Sequence, residues 1–220
     1  MLEANPELDW RDIKYILAKT AVQIDKDDNG WITNKAGYKF HNAYGFGAID
    51  AKAAVQMAID FTKGLSVFEQ INSESKQGKV NVFCTVKNVQ ETEIIITQDI
   101  NLEYVQLKLE HEPSGCSDEA ELDPAGFLHA IAEFFSSEQY IEVTLISPSN
   151  KTVFSQTLDS NSLSNIDQNS QPIILIPNQF FGEKSAGTWK LTIKDHTKQA
   201  RYGVKASLLL RGTETDISKN

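Results

Sequence analysis

Two hydrophobic periods divide the chain. Up to about residue 62 the apolar positions recur at helical spacing. Asp9 stands as an N-cap with Asp12 at the third helical position, and Leu8 and Ile13 take the two positions of a hydrophobic staple. The spacing predicts a helix from Trp10 to Lys19 that carries Ile13, Ile16, Leu17 and Ala21 on one stripe. A second helix is predicted after Asp50, again a good cap, with Ala54, Val55, Ala58 and Ile59 on its inner face. The segment between them is polar and turn-rich, and contains Asp25-Lys-Asp-Asp-Asn-Gly30 and Tyr44-Gly-Phe-Gly47. Neither helix has apolar surface enough to make a domain alone.

Residues 63–78 shift to Gly, Ser, Lys, Gln, Asn and Glu, the composition of a linker. Beyond it the period becomes two. Val80/Val82/Cys84/Val86, Val105/Leu107/Leu109, Ile141/Val143/Leu145, Trp189/Leu191/Ile193 and Val204/Ala206/Leu208/Leu210 each read as a half-buried strand. Strands of this kind, separated by turn residues, predict an antiparallel β-sandwich. Trp189 alternates with Leu191 and Ile193 and is expected in the sandwich core rather than on a carbohydrate platform. Residues 112–138 break the rhythm and are too long for a hairpin turn, which leaves a short helix or a covering loop.

Composition narrows the function. The 220 residues include 21 basic and 30 acidic side chains, for a formal net charge of −9. That balance, without a Lys/Arg cluster, excludes binding to a phosphate backbone. The longest apolar runs, within Glu93–Thr97 and Pro172–Pro177, fall far short of the roughly 18 to 20 residues of a membrane helix. The first residues carry no signal-peptide features, so they are not read as the start of a secretory precursor. Cys84 and Cys116 are compatible with one disulfide or with two free thiols.

Three sets of residues carry candidate chemistry. Asp25, Asp27 and Asn29 occupy positions 1, 3 and 5 of a calcium loop, with Gly30 at position 6, but position 12 is Ala36 in place of a bidentate acid. A site of that kind would be weak, and the competing reading is an acidic surface turn. Glu183, Lys184, Lys194 and Asp195 form a carboxylate and amine set that strand alternation assigns to a solvated face. His41, His111, His129 and His196 are accompanied by no Gly-x-Ser-x-Gly elbow or Gly-Thr-Ser run, so surface or core placement is expected for each. Asn150-Lys-Thr152 is a formal glycosylation acceptor in a turn that also explains Asn150 by turn chemistry.

Several motifs together resemble a known family. Asn5-Pro-Glu-Leu-Asp-Trp-Arg-Asp-Ile13, Trp31-Ile-Thr-Asn34, Ala36-Gly37 and Tyr44-Gly-Phe-Gly-Ala-Ile-Asp-Ala51 resemble the last part of the subtilisin-like catalytic domain of the kexin and furin branch. Ile141-Glu-Val-Thr-Leu-Ile-Ser-Pro148, Phe180-Phe-Gly-Glu183, Gly187-Thr-Trp-Lys-Leu-Thr-Ile-Lys-Asp195 and Gly203–Gly212 resemble its P domain, a β-sandwich jelly roll. The resemblance implies a mainly β chain: residues 1–62 from the catalytic domain, a linker at 63–78, a P domain at 79–214 and a tail at 215–220. It implies the C-terminal portion of a secreted, extracellular or periplasmic serine endopeptidase acting on protein or peptide substrates, with a P domain that packs against and stabilises its own catalytic domain. The family's Ser, His and Asp triad has no counterpart here, so the chain by itself is expected to be inactive. A jelly-roll module that binds substrate protein, glycan or cell surface is the alternative.

Overall fold

The computed structural model describes residues 1–61, 68–74, 89–112, 140–159, 172–196 and 203–214. Two helices open the chain, α1 (Trp10–Thr20) and α2 (Ala51–Asp60), and between them lies a small hairpin of β1 (Ile32–Thr33) and β2 (Lys39–Phe40). α1 begins as its cap requires. The Asp9 carboxylate accepts from the Arg11 and Asp12 amides while the Asp12 carboxylate accepts from the Asp9 amide, so three otherwise unsatisfied donors are closed, two of them reciprocally.

α1 and α2 pack through Ile16, Ala54 and Ala58, with Leu8 completing the small core. The Asn5 amide donates to Ala58 O and Phe61 O, each at 3.0 Å, and so closes carbonyls that the end of α2 leaves free. The predicted inner face of α2 is half right. Ala54 and Ala58 are buried, but Val55 and Ile59 are exposed. Each exposed residue follows a buried alanine by one position, a turn of about 100° around the helix that carries it away from α1.

Eight further strands form the sandwich. One sheet has the order β3 (Phe68–Glu74), β10 (Gly203–Glu214), β5 (Ile100–Glu112), β8 (Ile173–Leu175). The other has β4 (Val89–Ile96), β9 (Gly187–Asp195), β6 (Tyr140–Ile146), β7 (Val153–Asp159). All pairings are antiparallel. The inner faces meet in a core that includes Ile94, Leu107, Val143, Leu191, Leu208 and a fully buried Trp189. The Trp189 indole donates to Ser185 O at 2.9 Å, which satisfies its one polar atom in the dry interior.

The expected linker at 63–78 needs correction. Phe68–Glu74 is strand β3, paired along its whole length with Thr213–Ser207 of β10. Its polar composition belongs to an edge strand with one neighbour, and that hid it from a reading based on composition. Strands β4 and β7 were also missing from the sequence pattern, because Glu93-Ile-Ile-Ile and Val-Phe-Ser-Gln do not alternate cleanly. The strand expected at Val80–Val86, Cys84, Cys116 and residues 113–138 lie outside the described residues. Among the described residues no helix is long and apolar enough to cross a membrane.

Candidate functional site

The side chains with the most distinctive chemistry gather where the helical segment meets the sandwich. Glu103 lies on β5 at a break in the ladder: Arg211 of β10 pairs with Tyr104 and Gly212 pairs with Leu102, so Glu103 is the extra residue of a β-bulge. A bulge re-aims a side chain. Here it turns Glu103 toward α1, where its carboxylate meets Arg11 in a two-pronged pair, Nε to Oε2 at 2.7 Å and Nη2 to Oε1 at 2.6 Å. Each side chain is only 9% exposed. The Glu103 hydrogen bond drives the Arg11 guanidinium further toward its charged form, against the opposing effect of burial. One turn further along α1, the Lys14 ammonium donates to Glu103 O at 2.7 Å. Burial pushes the Lys14 amine down, and the nearby Glu103 charge partly offsets that.

A second contact comes from the turn after β1. The Asn34 amide is nearly completely buried and uses both of its ends. Nδ2 donates to Gln179 O (2.9 Å) and Phe181 O (2.7 Å) on the sandwich, and Oδ1 accepts from the Tyr38 amide at 2.9 Å. Between the two polar contacts the Phe181 ring packs edge-on against Tyr38 and Phe46, with centroids 5.1 Å and 5.6 Å away, and the Lys14 ammonium sits 5.3 Å from its centre. Burial is the main influence that pushes the Tyr38 phenol up, with Tyr15 adding to it. Gly182, at φ +78°, is required: a Cβ there would stand 2.7 Å from Tyr38 Cε2.

Glu183 corrects the sequence reading. It is 2% exposed rather than solvated, and its carboxylate accepts from the Lys35 amide (2.7 Å), from the Thr152 hydroxyl and from the Ser149 hydroxyl (3.5 Å). It follows the sharp turn at Gly182 rather than lying within a strand, so alternation did not apply to it. Of its companions in that set, Lys184 lies at an isolated bridge with Asn101, and Lys194 pairs across strands with Val89 and Glu142 at the far end of β9. The four do not form one constellation.

The loop with Asp25, Asp27 and Asn29 lies at the other end of the hairpin. Asp25 adopts φ +44° and its carboxylate accepts from the Tyr44 hydroxyl at 3.2 Å; Asp27 and Asn29 are exposed. The acid that organises the turn is the intervening Asp28. Its Oδ1 accepts from the Gly30 amide (2.7 Å) and faces His41 Nε2 (3.2 Å). The Gly30 amide first, and then His41, hold the Asp28 carboxyl below its usual range. His41 Nδ1 accepts from the Ala43 amide at 3.0 Å, and its ring stacks on Tyr44, so both nitrogens serve the turn. Among the described residues no group of three or more His, Cys, Asp or Glu converges on a metal position. His196 stacks on Tyr140, the His111 side chain and His129 lie outside the described residues, and Asn150 is exposed at φ +54° at its turn.

Residues 135–206 match the family model of the proprotein convertase P-domain. Human proprotein convertase subtilisin/kexin type 6 is 26% identical over 221 residues, which cover 96% of this chain and 20% of that protein. The dibasic-processing endoprotease of Yarrowia lipolytica is 39% identical over 57 residues, covering 26% of this chain and 6% of that protein. The Aeromonas sobria serine protease, solved with the chaperone ORF2, superposes with a TM-score of 0.62 at 18% identity, over 97% of this chain and 41% of that one. The chain thus spans a fifth or less of the length of these curated relatives.

Proposed function

From its place in the kexin and furin branch of the subtilisin-like serine proteases, of which it carries the C-terminal end of the catalytic domain and the P domain, we propose that the sandwich of this protein locks down the last part of a catalytic domain. The whole protein is then a secreted, extracellular or periplasmic endopeptidase acting on protein or peptide substrates. Residues up to about 62 belong to the catalytic part, and the P domain begins at Phe68 rather than 79. The buried Arg11–Glu103 pair carries this reading. A charged pair removed from water is strongly destabilising when one partner is lost, so it makes the helical segment depend on the sandwich.

A weak calcium site at Asp25, Asp27 and Asn29 belongs to the same proposal and is supported by their ligand spacing. The test of the main reading is Glu103→Ala in the intact protease. It should shorten the half-life of activity at raised temperature while leaving the peptide cleavage pattern unchanged. An unchanged half-life would refute it.

A further inference from the structure

Asn29 and Gly30, the single Asn-Gly pair in the 220 residues, stand in the turn before β1, and both are exposed. Among the described residues the Asn29 carboxamide has no hydrogen-bond partner. Such a pair is chemically frail. With no Cβ on the second residue, its main-chain nitrogen has a free path to the asparagine Cγ. The fold cannot exchange this glycine for a larger residue, since a Cβ at Gly30 would collide with His41 Nε2. The Gly30 N–H is turned to Asp28, whose Oδ1 accepts it at 2.7 Å across two residues. We propose that Asn29 is a site of spontaneous deamidation and that Asp28 guards it, by holding the Gly30 nitrogen away from Asn29 Cγ. The inference concerns the turn alone and does not depend on the role assigned to the sandwich.

The reaction needs only water. The Gly30 nitrogen bonds to Asn29 Cγ and closes a five-membered succinimide. The Cγ–Nδ2 bond breaks, and Nδ2 leaves as ammonia with the proton that the Gly30 nitrogen gives up. Water then opens the ring at either carbonyl, to aspartate or to isoaspartate, and nothing is oxidised or reduced. To begin, the nitrogen has to lose its proton and turn toward Asn29, which means abandoning Asp28. Hydrogen bonds to an ionised acceptor are roughly twice as strong as those to a neutral one, so this bond adds to the barrier. The carboxylate is itself held. His41 Nε2 faces the same oxygen at 3.2 Å, and the His41 ring is fixed by the Ala43 amide at Nδ1 and by stacking on Tyr44. Isoaspartate at position 29 would lengthen the main chain between Asp27 and Gly30 by one methylene, so Asp28 sets the chemical lifetime of the turn.

Incubation of the intact protein at neutral pH, with calcium chelated, tests the guard when peptide mapping separates asparagine, aspartate and isoaspartate at position 29. A synthetic peptide of residues 25–34 supplies the unguarded rate. The folded parent should convert about ten- to a hundredfold more slowly than the peptide, the rate equivalent of one hydrogen bond to a charged group. Asp28→Ala should recover most of that difference, and Asp28→Asn, which keeps a neutral acceptor, should lie between. A parent as fast as the peptide would overturn the proposal, and so would an Asp28→Ala variant no faster than the parent. Asn72, followed by Ser73 within the paired strand β3, is the internal reference. If Asp28→Ala also speeds conversion at Asn72, that variant has unfolded and Asp28→Asn decides. A several-fold gain confined to Asn29 then supports the guard, and an unaltered rate overturns it.

Discussion

Arg11 and Glu103, 92 residues apart in the chain, meet in a buried two-pronged ion pair that joins the first helix to strand β5 of the sandwich. Taking either charge away breaks a buried ion pair, which costs about 3 to 5 kcal/mol. Arg11→Ala and Glu103→Ala should each lower stability by that amount in denaturant titrations. The double variant should be less destabilised than the sum of the two, and strict additivity would show that the pair is not coupled.

Phe181 fills the space between the two polar contacts. Phe181→Ala removes ring contacts with Tyr38 and Phe46 and the seat of the Lys14 ammonium. A loss of about 3 to 5 kcal/mol is expected. Near-ultraviolet circular dichroism should report it as loosened tyrosine packing.

Gly182→Ala tests the close approach at the same place. The backbone there is left-handed and the new methyl group meets the Tyr38 ring, so a loss of about 1 to 3 kcal/mol should follow. Gly37→Ala, also at positive φ but with open space around it, is the control and should cost less by thermal melting.

Asp28 gives a pH signature. Its carboxyl is held down in the folded protein, chiefly by the Gly30 amide and then by His41. A depressed carboxyl contributes stability that is present above its unfolded value, near pH 4, and is lost as the pH falls through the lower folded value. The melting temperature of the parent should therefore fall more on acidification through that range than that of Asp28→Asn.

Calcium titration addresses the loop beside it. With Ala36 in the twelfth position, binding in the weak class of about 10⁻⁴ to 10⁻³ M is expected, and it should be lost in the Asp25→Ala, Asp27→Ala variant. Equal heats from parent and variant in isothermal titration would end the calcium reading.

Local signals were legible where the chemistry was local. The Asp9 and Asp12 capping box, the Asp50 cap and the alternation in β6 and β9 all appear as the residues foretell. The junction was harder to see because its parts come from distant segments and each looks ordinary alone. A signal for Glu103 did exist. Ile100 and Leu102 are buried at even positions and Val105, Leu107 and Leu109 at odd ones, a phase slip that requires an extra residue near 103. Glu183 had no such signal, because its burial depends on a turn whose course is set by contact with Tyr38 and Leu102.

The place of β10 in the sheet bears on how the protein is made. It lies between β3 and β5 and is the partner of both, so both of these earlier strands wait for the last one. A ribosome delivers the chain from its N-terminus, and β5, with Glu103 on it, leaves the ribosome roughly 100 residues before β10 is complete, several seconds at typical synthesis rates. Until then the strand that carries Glu103 lacks its β10 neighbour. Firm docking of the helical segment thus follows translation of residue 214, and a nascent chain cut short of it leaves that segment without its support.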